Sequence, residues 1–388
     1  MTVNHGVRGS SPRRVAHIFI LILFEFCMEK KTVVIAMSGG VDSSVTALLL
    51  KKKYKVIGAF MKNFSETKNK LTGECSWIDD RRDAQKICAI LDIPFVTFDF
   101  EKEYKKLVLE PMFMDYKKGL TPNPDILCNT VIKFPLFWRE ARKLGANYIA
   151  TGHHARIRKG KKGFSLLMGK DKGKDQSYFL YGLKQDDLSH TLFPVGGLQK
   201  DKVRKIAWRN RFPNWNKLGT RGICFVGKVD LRAFLEKKIK QKKGKVISPE
   251  GEIIGEHPGT SYFTIGQRAG DHIGIIIDEN YRSKVGTKVY VAEKRKGNIL
   301  VVAPYGHEAL LKDRIKIGKL HLVNHKDFAK KGLKARIRHL GKLHLGRLLK
   351  IKGKWVFVLK KGIEWVAEGQ SVVLYKGEKV VGGGEIES

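Results

Sequence analysis

Apolar residues first gather at Val33-Val34-Ile35-Ala36, a short β-branched run that reads as a buried strand. The polar, glycine-bearing stretch Met37 to Ser44 follows. After it come the apolar helix VTALLLKKK (Val45 to Lys53) and a second strand, KVIGAFM (Lys55 to Met61). Together these form a strand, loop, helix and strand unit. Farther on, DDRRDAQKICAILDI (Asp79 to Ile93) has helical spacing, with Ala84, Ile87, Cys88 and Leu91 in one apolar stripe, and it leads into FVTFDF (Phe95 to Phe100). EARKLG (Glu140 to Gly145) closes another helix before the strand NYIATGH (Asn147 to His153), and Pro135 is expected to kink or delay that helix. Alternation of this kind predicts an α/β fold with a doubly wound parallel sheet.

The texture changes near Lys237, where the basic run KKIKQKKGK precedes turn-rich short strands. From Ser261 onward glycines separate β-patterned runs, TKVYVAEK, NILVVAP, WVFVLKK and SVVLYKG, with no long amphipathic helix among them. Two small β-rich, barrel-like domains fit this pattern. The expected division is an N-terminal extension over 1–27, a parallel-sheet α/β domain over 28–237, a central β domain over 238–303 and a C-terminal barrel over 304–388.

Composition adds a partner class. The 388 residues carry 75 Lys and Arg against 38 acids, a net charge of +37, far beyond what solubility requires. Between Lys312 and Lys361 stand 17 Lys and Arg and only two acids, Asp313 and Asp327, which marks a phosphate-binding face and points to nucleic acid. At the other end, Arg13 and Arg14 precede the apolar run Ile18 to Phe24 in a pattern similar to a signal peptide. That run is too short to span a bilayer, Glu25 interrupts it, no small-residue cleavage site follows, and the nucleotide-loop strand begins almost at once. The reading favours an upstream-extended start with Met28 as the beginning, an organelle-targeting peptide being the alternative. A cytoplasmic protein without membrane segments is expected.

SGGVDS (Ser38 to Ser43) lies between a strand and a helix, where glycines let a ligand approach the backbone and helix-start amides face an anion. It lacks the lysine of a GxxxxGK[ST] loop, so pyrophosphate is cradled and the α-phosphorus is the point of attack. The five cysteines, Cys27, Cys75, Cys88, Cys128 and Cys224, show no CxxC pair and no zinc-finger spacing. An odd, scattered set also argues against a disulfide framework. His153 and His154, adjacent in sequence, are placed in a loop beside the nucleotide rather than on a metal, and no protein metal site is expected.

SGGVDSS resembles the pyrophosphate loop of the N-type ATP pyrophosphatases. The ordered set AMSGGVDSS, FMKNF, TPNPDILCN, YIATGHHA, KDQSYFLY, LFPVGGL, GICFVG, YFTIGQR and GGGEI narrows this to the bacterial and mitochondrial tRNA-specific 2-thiouridylases, across roughly residues 29 to 387. The resemblance implies ATP-dependent replacement of the C2 oxygen of a wobble uridine by sulfur, with ATP and Mg2+ as cofactors, tRNA as substrate and a persulfide-donor protein as partner. It implies that Cys224 carries the persulfide, that Cys128 frees the sulfur through a transient disulfide, and that Asp125 hydrogen-bonds the base or moves its proton. By the same resemblance ATP meets Ala36, Met37, Ser38, Gly39, Gly40, Val41, Asp42, Ser43, Met61 and Gly152. The flipped-out base meets Asn123, Pro124 and Asp125, while Lys174, Asp175 and Gln176, with Arg338 and His339, contact tRNA. Two departures stand out. Thr220-Arg221-Gly222 replaces the usual Ser-Thr-Gly before the persulfide cysteine, Gly219 standing where an aspartate is usual, and Arg338-His339 replaces Arg-Tyr. The other readings of the loop are an amidating or argininosuccinate-type ligase, which needs neither cysteine, and a non-catalytic RNA-binding protein.

Overall fold

The computed structural model describes residues 30–65, 76–219, 231–325 and 331–387. Strands β1 (Thr32–Ala36), β2 (Lys55–Lys62), β3 (Phe95–Asp99) and β4 (Tyr148–Ala150) are followed by the antiparallel pair β5 (Ala155–Gly160) and β6 (Gly163–Met168), then β7 (Thr191–Leu192). Five of them form a wholly parallel sheet in the order β3-β2-β1-β4-β7. Its centre, β1, has Val33, Val34 and Ile35 fully buried. Side chains alternate across a strand, so Val34 and Ala36 enter one apolar cluster while Val33 and Ile35 enter another on the opposite face. Burial of both faces explains why this strand reads as an unbroken apolar run.

The helices divide accordingly. On the Val33 side lie α1 (Val41–Lys51), α2 (Ser76–Ile90) and, later in the chain, Lys200–Arg209. On the Val34 side lie the helical run over 101–117, then α3 (Pro124–Cys128) and α4 (Pro135–Lys143). We label Lys200–Arg209 α5. Cys88 is buried in the Val33-side core, and burial pushes its thiol up to about 12, as its place in the helical stripe predicts. Between α3 and α4 the chain makes a wide turn over Asn129–Lys133, and α4 starts at Pro135 itself. Proline has no N–H to give and its ring crowds the carbonyl four residues back, so the helix is delayed at that point.

Beyond α6 (Leu231–Glu236), a second sheet comprises β8 (Gly244–Ile247), β9 (Ile253–His257), β10 (Ile276–Ile277), β11 (Val289–Arg295) and β12 (Ile299–Pro304), in the order β10-β9-β8-β12-β11. The third comprises β13 (Leu311–Ile317), β14 (His321–Leu322), β15 (Leu333–Arg336), β16 (His344–Ile351), β17 (Lys354–Glu364), β18 (Ser371–Lys376) and β19 (Lys379–Glu387). Pairing runs β13-β17-β16-β15-β18-β19, and β19 returns to β13, closing a six-stranded barrel. Closure removes the exposed edges that an open antiparallel sheet would leave. The chain pattern did not predict one feature: the β5-β6 pair reaches out of the catalytic region and joins the barrel sheet at β19.

Candidate active site

The nucleotide loop is built by local chemistry. After β1 the backbone turns through Gly39 at φ +72°, where a Cβ would lie 2.4 Å from the Asp80 carbonyl oxygen, so only glycine fits in conformation and in space. Gly40 is the N-cap of α1, and no side chain caps that helix. Its first-turn amides are therefore available to an anion at the positive end of an eleven-residue helix. Ser43 Oγ donates to the Gly40 carbonyl (2.9 Å), and Ser38 N donates to Ser43 Oγ (3.3 Å), which ties the loop to the helix start. From a distant part of the chain, Asn214 Nδ2 donates both to the Gly39 carbonyl and to Ser44 Oγ, each at 2.9 Å.

Asp42, in the first turn of α1, does not stand alone. Lys200 Nζ, at the start of α5, lies 2.6 Å from both of its carboxylate oxygens, and His154 Nε2 lies 3.1 Å from Oδ1. Burial alone would raise this carboxyl, but the His154 hydrogen bond and the Lys200 charge outweigh it and hold Asp42 below the usual carboxylate range. Gly152 fits underneath, since a Cβ there would come within 2.7 Å of Ser43 N. The loop thus receives from α5 the cation that its own sequence lacks. Lys200 follows LFPVGGL, and no spacing in the sequence links it to Asp42; Asn214 likewise carries no sequence signal.

Of the other residues expected at the nucleotide, Ala36, Met37, Val41 and Met61 have buried side chains. Ala36, the last residue of β1, and Met61, near the end of β2, pack into the same apolar cluster, and Met37 N donates to the Ala59 carbonyl (2.8 Å). His153 and His154 lie between β4 and β5, outside any strand. His153 is walled by Phe134 and Phe193, and burial, with the Lys133 and His154 charges, holds its imidazole well below its ordinary range. Among the described residues no three His, Cys, Asp or Glu side chains gather as metal ligands.

The second motif builds the loop that leads into α3. Asn123 is the N-cap of α3: its Oδ1 accepts from Ile126 N at 3.3 Å, and Pro124 occupies the first helical position, where a missing N–H costs nothing. Cys128 ends α3, is fully buried, and shares an apolar cluster with Ala36, Met61 and Ile126. Gln370, on the segment entering β18, donates to the carbonyls of Thr121 (2.9 Å) and Pro122 (3.3 Å), and its Oε1 accepts from Asn123 Nδ2 (3.4 Å). Cys224, with Gly219's neighbours Thr220, Arg221 and Gly222, lies outside the described residues, as do Cys27 and Cys75.

The residues expected at tRNA separate by exposure. Lys174 and Arg338 are exposed, and Arg338 lies over the Trp365 ring at 5.5 Å. His339 is half-buried and packs against Phe179 with ring centroids 4.4 Å apart and planes inclined at 35°. Gln176 Oε1 accepts from His154 N (2.9 Å). Asp175 has no exposed surface, and its carboxylate accepts from Arg336 Nη1 (2.7 Å), Gly169 N (2.9 Å) and Ser177 N (3.1 Å). Its side chain is a tie inside the protein, whereas Lys174 beside it is exposed.

Comparison with known proteins covers the whole framework. Family models described as the tRNA methyl transferase HUP domain, the tRNA methyl transferase PRC-barrel domain and the aminomethyltransferase beta-barrel domain match residues 31–228, 232–304 and 312–386. A solved structure of NMN synthetase from Francisella tularensis aligns with 55% of this chain and 76% of its own, at 17% identity and a TM-score of 0.32, a level at which nothing further follows. The tRNA-specific 2-thiouridylase MnmA of Dichelobacter nodosus is 40% identical over 364 residues, covering 93% of this chain and 95% of that protein. Its counterpart in Mycoplasmopsis synoviae is 42% identical over 369 residues, covering 92% and 96%. Identity at this level, running nearly end to end through both motifs and all three sheets, means that the chain belongs to the tRNA-specific 2-thiouridylase family.

Proposed function

We propose that this chain replaces the C2 oxygen of a wobble uridine in tRNA by sulfur, using ATP to make the oxygen a leaving group. Oxide cannot leave a pyrimidine ring, so the C2 oxygen first attacks the α-phosphorus of ATP and pyrophosphate departs. The uncapped start of α1 and the Lys200 cation suit that departing charge. The terminal sulfur of a Cys224 persulfide then adds to C2, and AMP leaves with the former oxygen. Attack of the Cys128 thiolate on Cys224 Sγ breaks the S–S bond, which leaves sulfur on the base and a Cys128–Cys224 disulfide for an external thiol to reduce. Asp125, the second residue of the helix that Asn123 caps, then hydrogen-bonds the base or moves its proton. A persulfide-bearing protein supplies the sulfur.

One observation carries the reading: Cys128, at the end of the Asn123-capped helix, is buried in the same apolar core that receives Ala36 and Met61, from the two strands beside the nucleotide loop. The barrel supports an RNA partner, with Lys312, Arg314 and Lys316 on β13 and Arg347 and Lys350 on β16 all exposed. Among the described residues no helix is long and apolar enough to cross a membrane. The test supplies ATP, a persulfide donor and unmodified tRNA, and follows tRNA retarded by a mercury gel. Cys128→Ser and Cys224→Ser should each abolish the retarded band, and normal thiolation by Cys224→Ser would overturn the relay. ATP turnover with a small acid or amine and no tRNA would favour a ligase instead.

A further inference from the structure

The loop that presents Asn123 and Asp125 is held from outside its own domain. The helix over Glu110–Lys117 ends in Gly119 at φ +81°, whose amide donates to the Tyr116 carbonyl (2.9 Å). The Gly119 carbonyl then faces the central sheet, where Lys294 Nζ donates to it at 2.8 Å and reaches Thr121 Oγ1 at 3.5 Å. Lys294 is on β11, just past a bulge where the ladder slips between Val291 and Glu293. Bulges re-aim side chains, and this one lies beside the lysine that points at the loop. Thr264, also of the central region, contacts Thr121 Oγ1 at 3.5 Å. From the barrel side Thr121 N donates to the Glu368 carbonyl (2.9 Å), and Gln370 holds the carbonyls of Thr121 and Pro122. Thr121 is buried among these groups.

Lys294 is a costly choice for such a place. Among the described residues it forms no ion pair, and burial brings its ammonium down to about 8, with the Glu368 charge opposing. Partial burial opposes a charge whose partners here are only carbonyl and hydroxyl oxygens, so the contact holds that carbonyl against the desolvation of the ammonium. That carbonyl lies four residues before Asn123, whose two amide atoms contact Gln370 and cap α3.

We infer that Lys294 is a positioning residue for the thiolation proposed above: carried by the central sheet, it fixes the Gly119–Thr121 backbone so that, with Gln370 on the opposite side, the loop delivers Asn123 and Asp125 to the uridine in one geometry. The central domain then acts on catalysis without touching substrate. A catalytic geometry displaced by about 1 Å loses roughly a hundredfold in rate, whereas tRNA affinity, dominated by phosphate contacts, is largely insensitive to one internal lysine.

The test compares full-length wild type, Lys294→Met and, as an exposed control in the turn that follows the same strand, Lys296→Met. In Lys294→Met the single-turnover thiolation rate at saturating tRNA should fall about a hundredfold, with the Kd for tRNA and for ATP and the melting temperature close to wild type; Lys296→Met should match wild type throughout. Amide hydrogen exchange over residues 119–128 should accelerate in Lys294→Met alone. That readout needs no thiolation, so a failure of the function proposed above would not obscure it. Unchanged exchange over 119–128, a rate close to wild type, or a rate loss matched by equal losses of ATP binding and thermal stability would each overturn the inference.

Discussion

Lys200 and Asp42 show how one ion pair, made by residues far apart in the chain, completes the nucleotide loop. The carboxylate takes both contacts of the lysine and one of His154, and their attraction overcomes burial to keep it ionised. Because the folded carboxyl titrates below its unfolded value of 3.8, the stability it contributes is fully present above that pH. It is lost only as pH falls through the lower folded value. In Lys200→Met, burial faces His154 alone, the carboxyl rises, and the acid limb of unfolding moves to higher pH. The same variant should slow tRNA-dependent pyrophosphate release by about a hundredfold, the scale for removing one preorganised charge from a developing anion. Pyrophosphate counted against time checks it; release at the wild-type rate would show that Lys200 serves Asp42 only. SGGVDS was legible because its chemistry is local. Its cation was not, because the sequence records no path that brings residue 200 back to residue 42.

At the scale of elements, strand and helix assignments followed from periodicity wherever one face was clearly buried, as in β1 and the Ala84, Ile87, Cys88 stripe of α2. Helix starts were harder. Asp125 and Asn123 are both good caps, and only the geometry shows Asn123 accepting from Ile126 N. Gly152 is the element-scale test of how α1 meets the loop after β4. In Gly152→Ala the new methyl would lie 2.7 Å from Ser43 N and 2.8 Å from the Asp42 carbonyl carbon, both backbone atoms that cannot swing aside. Overpacking of this kind costs about 1–3 kcal/mol. Urea unfolding should report that loss, and the KM for ATP should rise because the displaced atoms belong to the nucleotide helix. A variant with wild-type stability and KM would mean the contact relaxes freely.

At the scale of the molecule, the catalytic region and the barrel are one hydrogen-bonded structure. The β5-β6 pair joins β19, Tyr178 Oη donates to the Ser371 carbonyl at 2.8 Å, and Arg336 of β15 meets Asp175 where neither is appreciably exposed. Removing one partner of a buried pair leaves an uncompensated charge and costs about 3–5 kcal/mol. Arg336→Leu should therefore lower unfolding free energy by that amount and split the calorimetric transition, with the barrel melting apart from the parallel sheet; a single unshifted transition would refute the coupling. Asp175 also shows where a sequence reading stops. Beside Lys174 it passes for a contact to RNA, and only its enclosure by Arg336, Gly169 and Ser177 makes it internal. The amino-acid sequence by itself determined the parallel α/β start, the anion-binding loop, the β-rich second half and the two cysteine motifs, because periodicity, turn chemistry and composition act over a few residues. Tertiary structure alone decided which cation meets Asp42, which domains grip the loop before Asn123 and which charged residues are sealed inside, because those contacts join residues more than a hundred positions apart and exist only once the whole chain has packed.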